Sequence, residues 1–323
     1  IVEAQYAFAE GSAFADAMNV DGVDATAFAD NQALAGNVTI VVGSVGAGSS
    51  SSVGVYTGDD IEAYRAWAEG SAVAYSDGSG DFSGLASATA DNRSEASNFL
   101  TVVGTVGDGA TNSIGVDTRD DVEAMYAFAE GSAIADVTAS GVGASADAYG
   151  VSSALALNAI TIAGAVGEGA GGVAGVEVGE DVEAFYAGAE NSVSAQAETS
   201  GATTGFAQAL AQGSSVAQNT INIYGEVGDD VVSAAGVSVW GNVEAYDAWA
   251  YGYTNATAAV VSGGASGNAL ATAEGETRAT NTILITGVVG ERSEMGFGVY
   301  IAEGVMARYA GADSSNTNLA TAS

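Results

Sequence analysis

Apolar and polar positions in this chain alternate with a period of two, and the 3.6-residue period of a helix is absent. From Val122, one parity carries Val122, Ala124, Tyr126 and Phe128, and the other carries Glu123, Met125, Ala127 and Ala129, the spacing of a pleated strand. Alanine by itself favours helix, but the β-branched and aromatic neighbours and the frequent glycines oppose it. Leu100-Thr101-Val102-Val103-Gly104-Thr105-Val106 predicts another strand, closed by the acidic turn Gly107-Asp108-Gly109, and Ile114–Thr118 predicts a shorter one. Between them, the alternating Ala86, Ala88 and Ala90 read as a turn plus a further strand. The unit is therefore about four strands.

This unit recurs through the whole chain. Val2-Glu3-Ala4-Gln5-Tyr6-Ala7-Phe8-Ala9-Glu10-Gly11-Ser12 returns from Ile61, Val122, Val182 and Val243, and partly from Val305. Two glycine columns keep the same rhythm: Gly43, Gly104, Gly164, Gly225, Gly287, and Gly54, Gly115, Gly175, Gly236, Gly298. The repeats span 2–60, 61–121, 122–181, 182–242 and 243–304, with a truncated sixth over 305–323. The expected fold is all-β, one continuous repeat domain of extended, Ala/Gly-packed antiparallel sheets. Two alanine columns, Ala7, Ala66, Ala127, Ala187, Ala248, Ala310 and Ala9, Ala68, Ala129, Ala189, Ala250, Ala312, predict a sheet contact thinner than the usual ~10 Å. The opposite parity stacks aromatic residues such as Phe8, Trp67, Phe128 and Trp249. A five-bladed propeller closed by the last strand is the alternative, but blades need bulkier packing than alanine supplies.

Composition narrows the chemistry. The 323 residues include no Cys, His or Pro, and the 6 basic residues are all Arg, against 40 acidic ones, for a net charge of −34. Disulfides, imidazole or thiolate metal sites and Schiff-base chemistry are excluded. Nucleic acid is no partner for such a surface. No apolar run approaches the ~20 residues of a membrane span, and an outer-membrane barrel would need a lipid-facing band that the alanines do not provide. The start at Ile1 suggests a processed mature chain.

The acidic pairs Asp59, Asp60, Asp120, Asp121, Glu180 and Asp181 are the candidate metal ligands, since Ca²⁺ takes carboxylate oxygen. The calcium-loop patterns of known Ca²⁺ modules are absent, and solvated acidic turns explain the same residues. No cofactor is expected otherwise. Asn37, Asn92 and Asn255 open N-x-S/T sequons and are the glycosylation candidates. Acidic residues that recur in every repeat do not make the single asymmetric constellation of an active site, so no enzyme is expected.

An unprotected sheet edge pairs with whatever strand it meets, and this chain lacks the Pro and Lys that blunt edges. The expected partner is therefore the chain itself, in a homopolymer joined edge to edge. The truncated sixth repeat would supply the joining strand to the neighbour's first unit. Through units such as VEAMYAFAEGSA and NAITIAGAVG, the chain resembles the structural sheath proteins of filamentous methanogenic archaea. That resemblance implies an amyloid-like, protease-resistant extracellular tube of stacked hoops at the cell surface. An adhesin or S-layer type surface protein, stabilised by Ca²⁺, is the competing expectation.

Overall fold

The computed structural model describes residues 2–19, 24–79, 85–202, 204–262 and 267–322; Ile1 and Ser323 lie outside them. The strands run β1 (Val2–Ala4), β2 (Ala7–Asn19), β3 (Ala25–Val45), β4 (Val53–Thr57), β5 (Ile61–Gly78), β6 (Leu85–Val106), β7 (Ile114–Thr118), β8 (Val122–Ser140), β9 (Ser145–Val166), β10 (Gly171–Val178), β11 (Val182–Ala202), β12 (Gly205–Val227), β13 (Val232–Val239), β14 (Val243–Ser262), β15 (Gly267–Val289), β16 (Glu294–Ile301) and β17 (Val305–Ala322). Each full repeat contributes to each of three sheets, with one strand per sheet except that the first repeat's sheet A segment is split into β1 and β2, and the truncated sixth repeat adds β17 to sheet A alone. Sheet A is ordered β1-β5-β8-β11-β14-β17 with β2 also on β5, sheet B is β15-β12-β9-β6-β3, and sheet C is β16-β13-β10-β7-β4.

Every pairing is parallel, which corrects the expected antiparallel sheets. The chain is a β-solenoid in which each strand pairs with its counterpart one repeat away, never with its neighbour in sequence. The repeat also holds three strands and not four, because the alanine-rich segment and the Leu100–Val106 segment form one continuous strand, β6. In-register pairing explains the choice: equivalent residues stack on one another, Ala on Ala and Gly on Gly, so one favourable contact is repeated at every rung.

Sheets A and B face each other through their alanines. Facing strands bring Cα atoms within 8 Å, closer than the ~10 Å of ordinary stacked sheets, as the alanine columns predict. The rungs of the two sheets are staggered. A Cβ added at Gly131 would lie 2.6 Å from Ser152 Oγ of β9 and 3.0 Å from Asn92 Nδ2 of β6, so each A strand sits in the groove between two B strands. Size is traded across this seam: Gly11, Gly70 and Gly131 of sheet A oppose Asn31, Asn92 and Ser152, whereas Gly213 and Gly275 of sheet B oppose Thr254 and Asn316.

The alternation along sheet A is broken at one place. Val122 and Ala124 point inward, yet so do Ala127 and Ala129, because Tyr126 (φ 58°) is an extra residue and the pairing passes from Phe185↔Met125 to Ala187↔Ala127. Arg65, Tyr186, Asp247 and Tyr309 repeat this left-handed bulge. The single uninterrupted parity of the sequence reading is therefore wrong for this strand, and Phe128 faces outward with Glu123.

Candidate functional site: acidic turns, polar ladder and open edges

The bulge frees a backbone carbonyl inside the protein, and an asparagine column meets it. Asn98 Nδ2 donates to Met125 O at 2.6 Å and to Asn158 Oδ1 at 2.9 Å. Asn158 donates likewise to Phe185 O and Asn219 Oδ1, and Asn37 and Asn219 repeat the pattern. Asn281, the last of the column, donates to Arg308 O. Each buried amide thus satisfies one facing carbonyl and one neighbour in the ladder, as buried polar groups require. Sequence reading missed this column, although Asn recurs at separations of 61, 60, 61 and 62. It was hidden because single Asn residues look like turn or sequon signals.

Two glycosylation candidates fall in this interior. Asn37 belongs to the ladder, and Asn92 is 1 % exposed, accepting from Asn31 and donating to Ser94 and Ser152. The packed seam holds no room for a glycan at either. Asn255 lies on β14, half-buried on the outward parity.

The acidic turns lie where sheet C leads into sheet A. Asp60 Oδ1 accepts from Asp121 N at 3.3 Å, Asp121 Oδ1 from Asp181 N at 2.7 Å, and Asp181 Oδ1 from Asn242 N at 2.5 Å. One carboxylate of each pair therefore latches a turn to the next. The structure also converges carboxylate oxygens of Asp59, Asp60 and Asp120, and of Asp120, Asp121 and Glu180, to within 4.8 Å. These hard oxygen donors fit Ca²⁺ or Mg²⁺. Asp181 joins neither group.

Beside the turns runs a carboxylate ladder, Glu3, Glu62, Glu123, Glu183 and Glu244, stacked in register and ended by Met306. Burial first, then the Asp121, Glu183 and Glu62 carboxylates, push Glu123 up to about 8. Burial and neighbouring carboxylates also raise Glu62 and Glu183, and Asp121 is raised by burial against the opposing pull of the Asp181 N–H. Opposite charge arrives only at the end, where Arg308 lies 3.6 Å from Glu244.

On sheet A, aromatic rings stack outward. Trp67 and Phe128 centroids are 4.6 Å apart, and Phe128 reaches Trp249 at 5.7 Å across the gap left by Gly188. On sheet C a shallow groove is bordered by Trp240, Phe297 and Tyr300, with Trp240 Nε1 donating to Glu177 Oε1 at 3.0 Å.

Both ends of the solenoid present strand edges. At one end these are β1, β2, β3 and β4, and at the other β15, β16 and β17; β17 is exposed along nearly its whole length. The ends differ in charge: residues 1–60 contain no Arg and include Glu3, Glu10 and Asp16, while Arg278 falls on β15, Arg308 on β17 and Arg292 on the turn between β15 and β16. Among the described residues no helix is long and apolar enough to cross a membrane. No protein-family profile, curated protein or solved structure matches this chain.

Proposed function

We propose that this chain is a structural protein that polymerises edge to edge into an extracellular filament, tube or sheath. The observation that carries this reading is the pair of open ends, each presenting unpaired edges of the parallel sheets. Parallel sheets with unpaired edges template further strands unless something covers them, and among the described residues no helix covers β17 or β1 and β2. Set in register, β17 against the next copy's β1 and β2 places Met306 beside Glu3, relieving the carboxylate ladder at the junction. It also brings Arg308 beside Gln5, one outward position from Glu3. The resemblance in repeat character to archaeal sheath proteins agrees with this, and the recurrence of every acidic row leaves enzymatic chemistry outside the reading.

The seam argues against exchanging β17 into the place of β1 and β2. Gly11 leaves room for Asn31, with only 2.4 Å from a Cβ there to Asn31 Oδ1, and β17 carries Ser314 at that position. Direct addition then gives six A rungs per subunit, an axial repeat of about 29 Å at ~4.8 Å per strand. It also leaves a slot one strand wide in sheet B at each junction. Electron microscopy of the purified chain tests this. Filaments with a ~29 Å subunit repeat support it, a ~24 Å repeat would indicate strand exchange, and particles that stay single at high concentration refute polymerisation.

The converging acidic turns favour a second reading, a Ca²⁺-stabilised adhesin or surface-layer subunit. It predicts a fall in melting temperature on chelation, where the polymer reading predicts assembly that tolerates a chelator.

A further inference from the structure

The outward face of sheet B divides into two halves of different character. Toward the A-to-B turns it carries Asp30, Asp91, Arg93, Glu95, Asp147 and Glu274 among others. Toward the B-to-C turns, the outward positions of β3 are Gly36, Val38, Ile40, Val42 and Ser44. Their columns continue through β6, β9, β12 and β15 with Thr, Val, Ala, Leu, Phe, Tyr and amide side chains and a single charge, Glu226. Large apolar groups stand open there: Val38 is 62 % exposed, Ile40 63 %, Leu284 48 % and Val288 57 %.

We propose that this uncharged half-face is a self-association surface on which a second copy packs back to back, sheet B on sheet B. Charge selects the occupant. A chain of net charge −34 repels its own copies wherever carboxylates line the surface, and sheet A is lined by two rows of them, headed by Glu3 and Glu10. The uncharged half-face is where two copies approach with least electrostatic cost. Its side chains, mostly Thr, Val and Ala with a few larger groups, stand in regular rows, the surface that a parallel sheet offers to a dry, interdigitated partner. Five strands at ~4.8 Å and five outward positions at ~6.8 Å give roughly 800 Å², the area each partner buries in a standard-sized interface. This pairing deepens the structural-polymer reading by joining filaments laterally, and it does not require end-to-end growth.

The test places charge at the centre of the face. Thr161→Glu with Ala163→Glu lies on the middle strand β9, and Ser153→Glu on the charged half of the same strand is the control. Sedimentation equilibrium of the full chain should show pairing that the double variant weakens at least tenfold and the control leaves intact. Far-UV circular dichroism should be unchanged. Because the chain has no cysteine, a nitroxide on Thr161→Cys gives a gentler second readout, with dipolar broadening expected between paired faces. A wild-type chain that never pairs, a double variant that pairs as tightly as wild type, an uncoupled Thr161 label, or binding of neutral lipid vesicles in place of self-pairing would each overturn the proposal. In micrographs, loss of end-to-end growth leaves discrete pairs, whereas loss of lateral pairing leaves filaments of single width.

Discussion

Sheets A and B are in contact over their whole length, yet the seam is built in two ways. From the bulge to the far turn it is an alanine zipper, Ala66, Ala68, Ala72 and Ala74 against Ala86, Ala88, Ala90 and Ala96. Before the bulge it is a corner in which sheet C joins, and Ile61, Leu100, Val102, Val116 and Ile160 fill the wider space. There the glycines of sheets B and C touch backbone to backbone: a Cβ at Gly164 would lie 1.8 Å from Gly236 O. The bulge and its asparagine ladder mark the border. The lesson is that sheet separation in this solenoid follows side-chain size position by position, and the change of spacing is made where a buried amide can satisfy the displaced carbonyl.

The corner is the less forgiving region. Gly164→Ala forces a methyl group into the Gly236 carbonyl, and backbone on both sides cannot yield as a flexible side chain would. A loss of about 3 kcal/mol or more is expected, at the upper end for overpacking, read as a melting temperature lowered by many degrees or as failure to fold. At the border, Asn158→Ala removes two donated hydrogen bonds and one accepted, leaving Phe185 O, Asn219 Oδ1 and one N–H of the Asn98 amide without those partners and costing about 2 kcal/mol. Asn158→Gln should not restore it, because the longer arm misplaces both donors. In the zipper, Ala129→Val overpacks a seam with solvent on its far side, and about 1 to 2 kcal/mol is expected. If Ala129→Val instead proved costlier than Gly164→Ala, the zipper and not the corner would set the sheet spacing.

The smallest effect concerns charge. The folded-state value of Glu123, near 8, lies above its ordinary 4.5. The stability it contributes is full below about 4.5 and is lost as pH rises toward 8, when the folded protein must ionise a carboxyl among carboxylates. Glu62, Glu183, Asp121 and Glu130 shift in the same direction. The melting temperature should therefore fall between pH 5 and pH 8. Glu123→Gln should flatten that slope and stabilise the chain at pH 8 by about 1 kcal/mol, once solvent screening of a half-exposed group is allowed for.

The candidate site was only partly legible in the sequence. The acidic turns were visible as paired carboxylates, but their use as rung-to-rung acceptors depends on Asp121 meeting Asp60 across 61 residues. Asn37 and Asn92 read as sequons because a sequon is three residues long, whereas their burial is decided by strands from other repeats. The left-handed bulge gave no warning, since Tyr126 and Arg65 are not residues that favour that conformation.

By itself the sequence determined the all-β character, the repeat interval, the alanine seam and both glycine columns, because each is a local pattern of side-chain size or an interval along the chain. Only the tertiary structure decided which strands pair. Alternation of inward and outward residues ordinarily accompanies antiparallel sheets, but it looks the same in a parallel solenoid whose outer faces meet water. The choice between them rests on contacts made one repeat away, where Asn stacks on Asn and Ala on Ala, and no window shorter than a repeat contains them.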